Sequence, residues 1–304
     1  MKMRVFLSVI LWTWVLTVGA KNIETRFDGK KITNDVFWNT AEGMPLYSQG
    51  GGIFRYPDPD TGRLRYYWYG VRYAEAVRYR EDPSVTYPAC TFEAVTCYSS
   101  DNLINWYYEG DVLTREEVDR YGRAGWVGRM GVAYLEAWNQ YVLVVQHDNG
   151  VLFALSHTPN GRFTWHRRIT MEKIIGTPNT GDQTVFVDED TRKPYLIYSY
   201  GRGRNRIYVS EIGIRDGQGD LLDCTQVFKG AGREGNCLFK YEGRYYMCAS
   251  NLYGWDSSFA YYMVANDIRG PYEPVNDMKI MPGCAEDYAH VTQTGFFYTV
   301  RGSR

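Results

Sequence analysis

The chain carries almost no net charge: 34 Lys and Arg stand against 35 Asp and Glu, a formal −1. That balance leaves no electrostatic footprint for nucleic acid or for an anionic membrane surface. The six cysteines, Cys90, Cys97, Cys224, Cys237, Cys248 and Cys284, have no dense or metal-like spacing, so no zinc site is expected. Cys237 and Cys248 read as buried thiols in neighbouring strands, whereas Cys90 and Cys97 could pair. His147 and His157 lack ligand spacing and read as structural. The basic stretch Arg202 to Arg206 lies between two strands with no helix after it, which excludes a phosphate cradle and leaves a solvated loop. Ser99-Ser100-Asp101 has no flanking elbow glycines. Helical signal is equally thin: only Thr114 to Tyr121 reads as helix, with Thr114 as N-cap and Glu117 at N3.

The apolar run from Val5 to Val18 is too short to span a bilayer. Preceded by Lys2 and Arg4 and closed by Val18-Gly19-Ala20, it reads as a cleavable export signal over residues 1–20. Residues 21–304 then form a single domain, periplasmic or secreted. No cysteine follows the cleavage point, so a lipid anchor is not indicated. With 44% hydrophobic residues in 304, the chain can bury a sizeable core as a monomer. Tyrosine at 27 and tryptophan at 9 suit strands, and some of these rings could line a sugar-stacking site.

What the chain has in abundance is repetition. GDQTVFVDEDTRKPYLIY from Gly181 and REGNCLFKYEGRYYMCA from Arg233 each read as strand, turn and aromatic-rich strand, with a carboxylate at the mouth of the hairpin. Similar hairpins begin at Gly51 and Gly131. A third strand follows each, starting at Cys97, Ala154, Ile207 and Tyr261, about 53 to 57 residues apart. That is the period of a propeller blade with its connections, and radial repetition of small sheets predicts an all-β propeller.

A propeller brings the starts of its innermost strands to one central funnel. Asp182 and Glu234 are read as equivalent positions of successive hairpins, which places two carboxylates in one cavity. Paired carboxylates in an aromatic pocket are what glycoside hydrolysis requires, one as the protonated acid and one to activate water or hold charge. Taken singly, Asp182 would cap a turn and Glu234 would pair with an arginine; two in register favour chemistry.

Four motifs in order resemble the exo-β-1,3-galactanase-like branch of glycoside hydrolase family 43: MPLYSQGGGIFRY with YYWYG, YSSDNLINWYYEG, GDQTVFVDEDTRKPYLIYS and REGNCLFKYEGRYYMCASNLYGW. The resemblance runs from about Asn39 to Arg304. It implies a five-bladed propeller that removes a terminal β-galactosyl or related residue with inversion, from β-1,3-galactan or arabinogalactan side chains. It carries Glu234 over as general acid and Asp182 as the carboxylate that orients it and raises its pKa, a role consistent with like charges in a desolvated pocket. Tyr134, Trp255, Asn251 and Trp68 fall where the family has sugar-contacting groups, and Gln49 and Arg129 join them as substrate-binding positions. No cofactor is implied; a structural calcium in the central channel is the one ion that some members hold. The partner implied is a polysaccharide or oligosaccharide.

The chain departs from that pattern twice. Gly128 stands where the branch has a glutamate, so a third acid is not carried over. The water-activating glutamine of some members aligns with His290, with Gln293 three residues on, so either is a candidate base. The chain also ends in what reads as only the first strand of a fifth blade, which predicts an incomplete last blade. A second reading follows from these losses: a glycan-binding propeller with impaired catalysis.

Overall fold

A computed structural model describes residues 31–33, 36–122, 125–252, 260–277 and 293–300. The export signal, Trp255, Cys284 and His290 lie outside the described residues. Every sheet is antiparallel and built from strands consecutive in the chain. Blade 1 is β1 (Gln49–Pro57), β2 (Leu64–Tyr73), β3 (Phe92–Ser100) and β4 (Tyr107–Thr114); blade 2 is β5 (Val127–Leu135), β6 (Gln140–His147), β7 (Gly150–Ser156) and β8 (Thr164–Ile169). Blade 3 is β9 (Thr180–Val187), β10 (Pro194–Tyr200) and β11 (Arg206–Arg215), with β12 (Gln218–Leu221) and β13 (Thr225–Lys229) both paired to β11. Blade 4 is β14 (Glu234–Tyr241), β15 (Arg244–Ser250), β16 (Ala260–Ala265) and β17 (Glu273–Asp277). The hairpins and third strands expected from the repeat are all present.

The first strand of each blade is its innermost. β5 packs against β1 and β9, and β9 packs against β14. The described residues therefore form a propeller of four blades, where five were expected with the last incomplete. Residues 293–300, read from sequence as the opening strand of blade 5, are not paired as a strand. They instead lie between β14 and β1. Thr294 donates to the Gly235 carbonyl at 2.6 Å, Phe297 meets Phe239 edge-on at 5.0 Å and Tyr298 meets Tyr66 at 5.5 Å. An apolar strand with aromatic partners on both sides finds its place by side-chain burial even without a ladder.

The core consists of three clusters, between blades 1 and 2, 2 and 3, and 3 and 4. Tyrosine is common because it serves both faces of this problem, burying a ring and delivering a hydroxyl across the blade boundary. Tyr56, Tyr69 and Tyr73 of blade 1 donate to the carbonyls of Val132, Pro159 and Val127 in blade 2, at 2.7, 2.6 and 2.7 Å. Blades 1 and 3 share one turn chemistry. Asp58 Oδ1 accepts the N–H groups of Asp60 and Thr61, and Asp188 Oδ1 those of Asp190 and Thr191. Such side-chain caps are the usual reason for aspartate at a turn's first position.

Three short helices interrupt the strands: α1 (Ala76–Glu81), α2 (Arg115–Asp119) and α3 (Glu172–Ile175). In α2 Thr114 caps Glu117 N as expected; α1 and α3 are too short to leave an apolar period in the sequence. Among the described residues no helix is long and apolar enough to cross a membrane. Cys90 and Cys97 are free thiols, as are Cys224, Cys237 and Cys248. The pairing open to Cys90 and Cys97 is thus not made: Cys97 faces the core at 0% exposure while Cys90 is only partly covered.

Candidate active site

All four innermost strands carry the same irregularity. Between the ladder pairs Gln49/Val71 and Gly52/Tyr69, β1 has one residue more than its partner. The same insertion falls between Val127 and Met130, between Thr180 and Gln183, and between Glu234 and Cys237. A bulge re-aims side chains and bends the strand, and here four of them ring one end of the propeller. Gln49, Gly50, Gly51, Gly128, Arg129, Asp182 and Glu234 from these bulges line a cavity of about 1390 Å³. By bulge register Glu234 is equivalent to Thr180, and Asp182 to Asn236, so the sequence alignment of the two acids was two residues out. Both nonetheless reach the cavity, because the bulge resets where the side chains at the strand's mouth point.

Asp182 is held from two sides. Arg129 Nε lies 3.0 Å from its Oδ2, and the backbone N–H of Gly235 donates to the same oxygen at 2.9 Å. Gly235 has φ +63, which turns that N–H inward immediately after Glu234. Gln293 completes the constellation. Its Nε2 donates to Glu234 Oε1 at 2.7 Å, and its Oε1 accepts from Arg129 Nη2 at 2.5 Å. Arg204 Nε stands 3.3 Å from Glu234 Oε2. Burial pushes the Glu234 carboxyl above its ordinary range and the Asp182 charge pushes it further, while Arg204, Gln293 and Arg129 pull it down. The sum is upward. A carboxyl whose proton affinity is raised by burial and by a neighbouring carboxylate is suited to general-acid work.

Of the residues expected from sequence, Asp182, Glu234, Gln293, Arg129, Trp68 and Gln49 meet in this cavity. Trp68 is braced by Trp38 and Trp106 at 5.7 and 5.3 Å between ring centres. Tyr134 is at the far end of β5, where its hydroxyl donates to Asn139 and its ring lies 5.0 Å from Tyr141; it does not line the cavity. Asn251 accepts from Arg233 Nη1 at 3.0 Å and donates to the Tyr261 hydroxyl at 3.0 Å, outside the cavity wall. Tyr134→Phe should accordingly leave sugar cleavage within about twofold of the parent, checked by initial rates.

Arg204, beside Glu234, and Trp126 and Asp148, in the cavity wall, were not singled out from sequence. Arg204, assigned to a solvated loop, adopts φ +49, and its stem passes Gly181, where a Cβ would sit 3.1 Å from Arg204 Cγ. The glycine makes room for the reach to Glu234. Trp126 and Asp148 line the wall of blade 2. Nothing in their local sequence marks them, because a chain-distant packing arrangement puts them there. Among the described residues no three His, Cys, Asp or Glu side chains stand together as a metal site.

Comparison with known proteins is consistent with this geometry. The family described as "Glycosyl hydrolases family 43" matches residues 56–302. No curated protein matches the chain significantly. Among solved structures, an exo-β-1,3-galactanase from Clostridium thermocellum is 27% identical with a TM-score of 0.65, covering 81% of this chain and 51% of that one. A GH43 β-1,3-galactosidase solved with galactodeoxynojirimycin is 22% identical at TM-score 0.66, covering 84% and 83%. An exo-β-1,3-galactanase variant from Phanerochaete chrysosporium solved with β-1,3-galactotriose is 21% identical at TM-score 0.62, covering 79% and 52%. The chain spans about half the length of the first and third of these.

Proposed function

Given that the chain belongs to glycosyl hydrolase family 43, we propose that it hydrolyses O-glycosyl bonds, removing terminal β-1,3-linked galactosyl residues from galactan or arabinogalactan side chains outside the cytoplasm. The observation that carries this reading is the half-buried Glu234, its proton affinity raised by burial and the Asp182 charge, beside the ion-paired Asp182 in one open cavity. Likeness to the Clostridium thermocellum galactanase supports the choice of linkage.

In this reading Glu234 gives its proton to the glycosidic oxygen as the bond to the anomeric carbon breaks. Asp182, fixed by Arg129 and the Gly235 N–H, raises the Glu234 proton affinity through its charge. Inversion requires water to attack from the opposite face of the ring. The residue that orients it is drawn from Gln293 or His290. Gln293 as it stands donates to Glu234, so it fills that role only after the substrate oxygen takes its place on the acid. A cation in the central channel is not needed for any of these steps.

The test is product analysis on β-1,3-galactan and arabinogalactan. Free galactose should appear, and proton NMR taken during turnover should show the α-anomer first. Release of the β-anomer first, or no release from any β-1,3-galactoside, would sink the proposal. Arg204 gives a second check. Removing its charge in Arg204→Gln should raise the Glu234 proton affinity, so the fall in kcat/KM on the alkaline side should move to higher pH.

A further inference from the structure

The wall contributed by blade 2 has no acid at the bulge, and the reason is steric. A Cβ on Gly128 would lie 2.6 Å from Trp126 Cζ2 and 2.8 Å from Gln146 Oε1, so the indole occupies the volume into which a side chain there would project. Trp126 faces the cavity and is 43% exposed, an unusual state for the most hydrophobic ring available. Asp148 lies beside it, on the two-residue turn between β6 and β7. Its backbone N–H donates to the Trp126 carbonyl at 3.1 Å, and its Oδ1 is 2.7 Å from His147 Nδ1, on a fully buried ring. The Asp148 side chain is 39% exposed and lines the same cavity. A rigid flat ring and an anchored carboxylate, tied together by a backbone bond, therefore stand across blade 3 from Glu234.

We propose that Trp126 and Asp148 form a sugar-binding station that takes one neutral hexopyranose unit, its C–H face on the indole and its hydroxyls on the carboxylate. Gly128 is a positioning residue, because any side chain there lifts the ring. The unit is neutral because Asp148 and Asp182 face the cavity while its arginines are engaged, Arg129 with Asp182 and Arg115 with Asp119; a uronate or sulfate would add a further negative charge. The station deepens the reading of the cavity as a sugar-cleaving site and rests on it.

Binding measured without turnover separates the two. In a Glu234→Gln background, calorimetry with β-1,3-galactotriose, and with galactose, arabinose, xylose and glucose, should show binding that Trp126→Ala, Gly128→Ala and Asp148→Asn each weaken at least tenfold. Trp126→Phe should stay within about threefold. Thermal melts identify any variant that fails to fold, and Trp126 and Gly128 serve as independent routes to the same loss. If galactotriose binds and Trp126→Ala and Gly128→Ala leave it unchanged, the station is wrong while the cleavage reading stands. If β-1,3-galactosides neither bind nor react, the cleavage reading fails, and the station then stands or falls on Trp126-dependent binding of any other neutral sugar in the panel. In the active enzyme the station predicts a raised KM at nearly constant kcat for Trp126→Ala and Asp148→Asn. A hundredfold fall in kcat at unchanged KM for Asp148→Asn would make that carboxylate a water-activating group and overturn its assignment here. Tighter binding of a uronic acid-capped oligosaccharide would overturn the neutral class.

Discussion

Glu234→Gln should lower kcat on β-1,3-galactan about a thousandfold while leaving KM within a few-fold, the size expected when a general acid is lost. The amide keeps the shape of the carboxyl and can still accept from Gln293, so folding and sugar binding are preserved, but it has no proton to give. The parent enzyme should show the same dependence in its pH profile. Glu234 acts only when protonated, so kcat/KM should fall as pH rises through its raised pKa, and the variant's residual rate should lose that limb. An aryl galactoside with a good leaving group needs little acid assistance, so its loss should be much smaller than that of galactan. Equal losses on the two substrates would remove Glu234 from the acid role.

Asp188→Ala should produce the largest fall in stability, about 3 to 5 kcal/mol by denaturant titration, because it strips a buried charge from a network that cannot rearrange. Asp188 is 1% exposed. Its Oδ2 accepts from the Tyr245 hydroxyl at 2.5 Å and from Lys240 Nζ at 3.0 Å, while Oδ1 caps the turn. Those partners join the β9–β10 turn of blade 3 to β14 and β15 of blade 4, the hairpin that carries Glu234. Asp188→Asn keeps an acceptor for the turn but sets an NH2 donor where Oδ2 accepted from Tyr245 and Lys240, so it should cost less than Asp188→Ala while remaining destabilising. Burial raises the Asp188 pKa, but the bonds from Tyr245, Thr191, Lys240 and Asp190 outweigh it and bring the value to about 2. A depressed folded-state pKa means stability that is fully present above the unfolded value of about 4 and lost as pH falls toward 2. The parent should therefore lose stability through that window more steeply than Asp188→Asn does. Matching slopes would show that Asp188 is not a source of the acid sensitivity.

Much of the architecture was legible because a blade is a local object. Apolar runs such as YVLVV, buried throughout, turn residues such as Glu242 and Gly243 with φ of +48 and +76, and a period of about 53 to 57 residues are all set by neighbours within one hairpin or one sheet. Glu234 and Asp182 could be found for the same reason, since each opens a hairpin of recognisable pattern. Their register could not, because a bulge adds one residue without altering the alternation on either side of it. Tyr134, carried over from the family resemblance, lies on β5 but at the end away from the cavity, and distance along a strand from the funnel is a property of the ring.

By itself the sequence determined the strand-rich blades, their order and the two acids at the propeller's mouth, since these follow from periodicity and turn chemistry over short spans. Only the tertiary structure decided how many blades stand among the described residues, where residues 293–300 lie, that Arg204 pairs with Glu234, and that Gln293, Trp126 and Asp148 share its cavity. Those placements depend on which surfaces remain to be buried once the blades have packed, a sum over the whole ring that no stretch of chain contains.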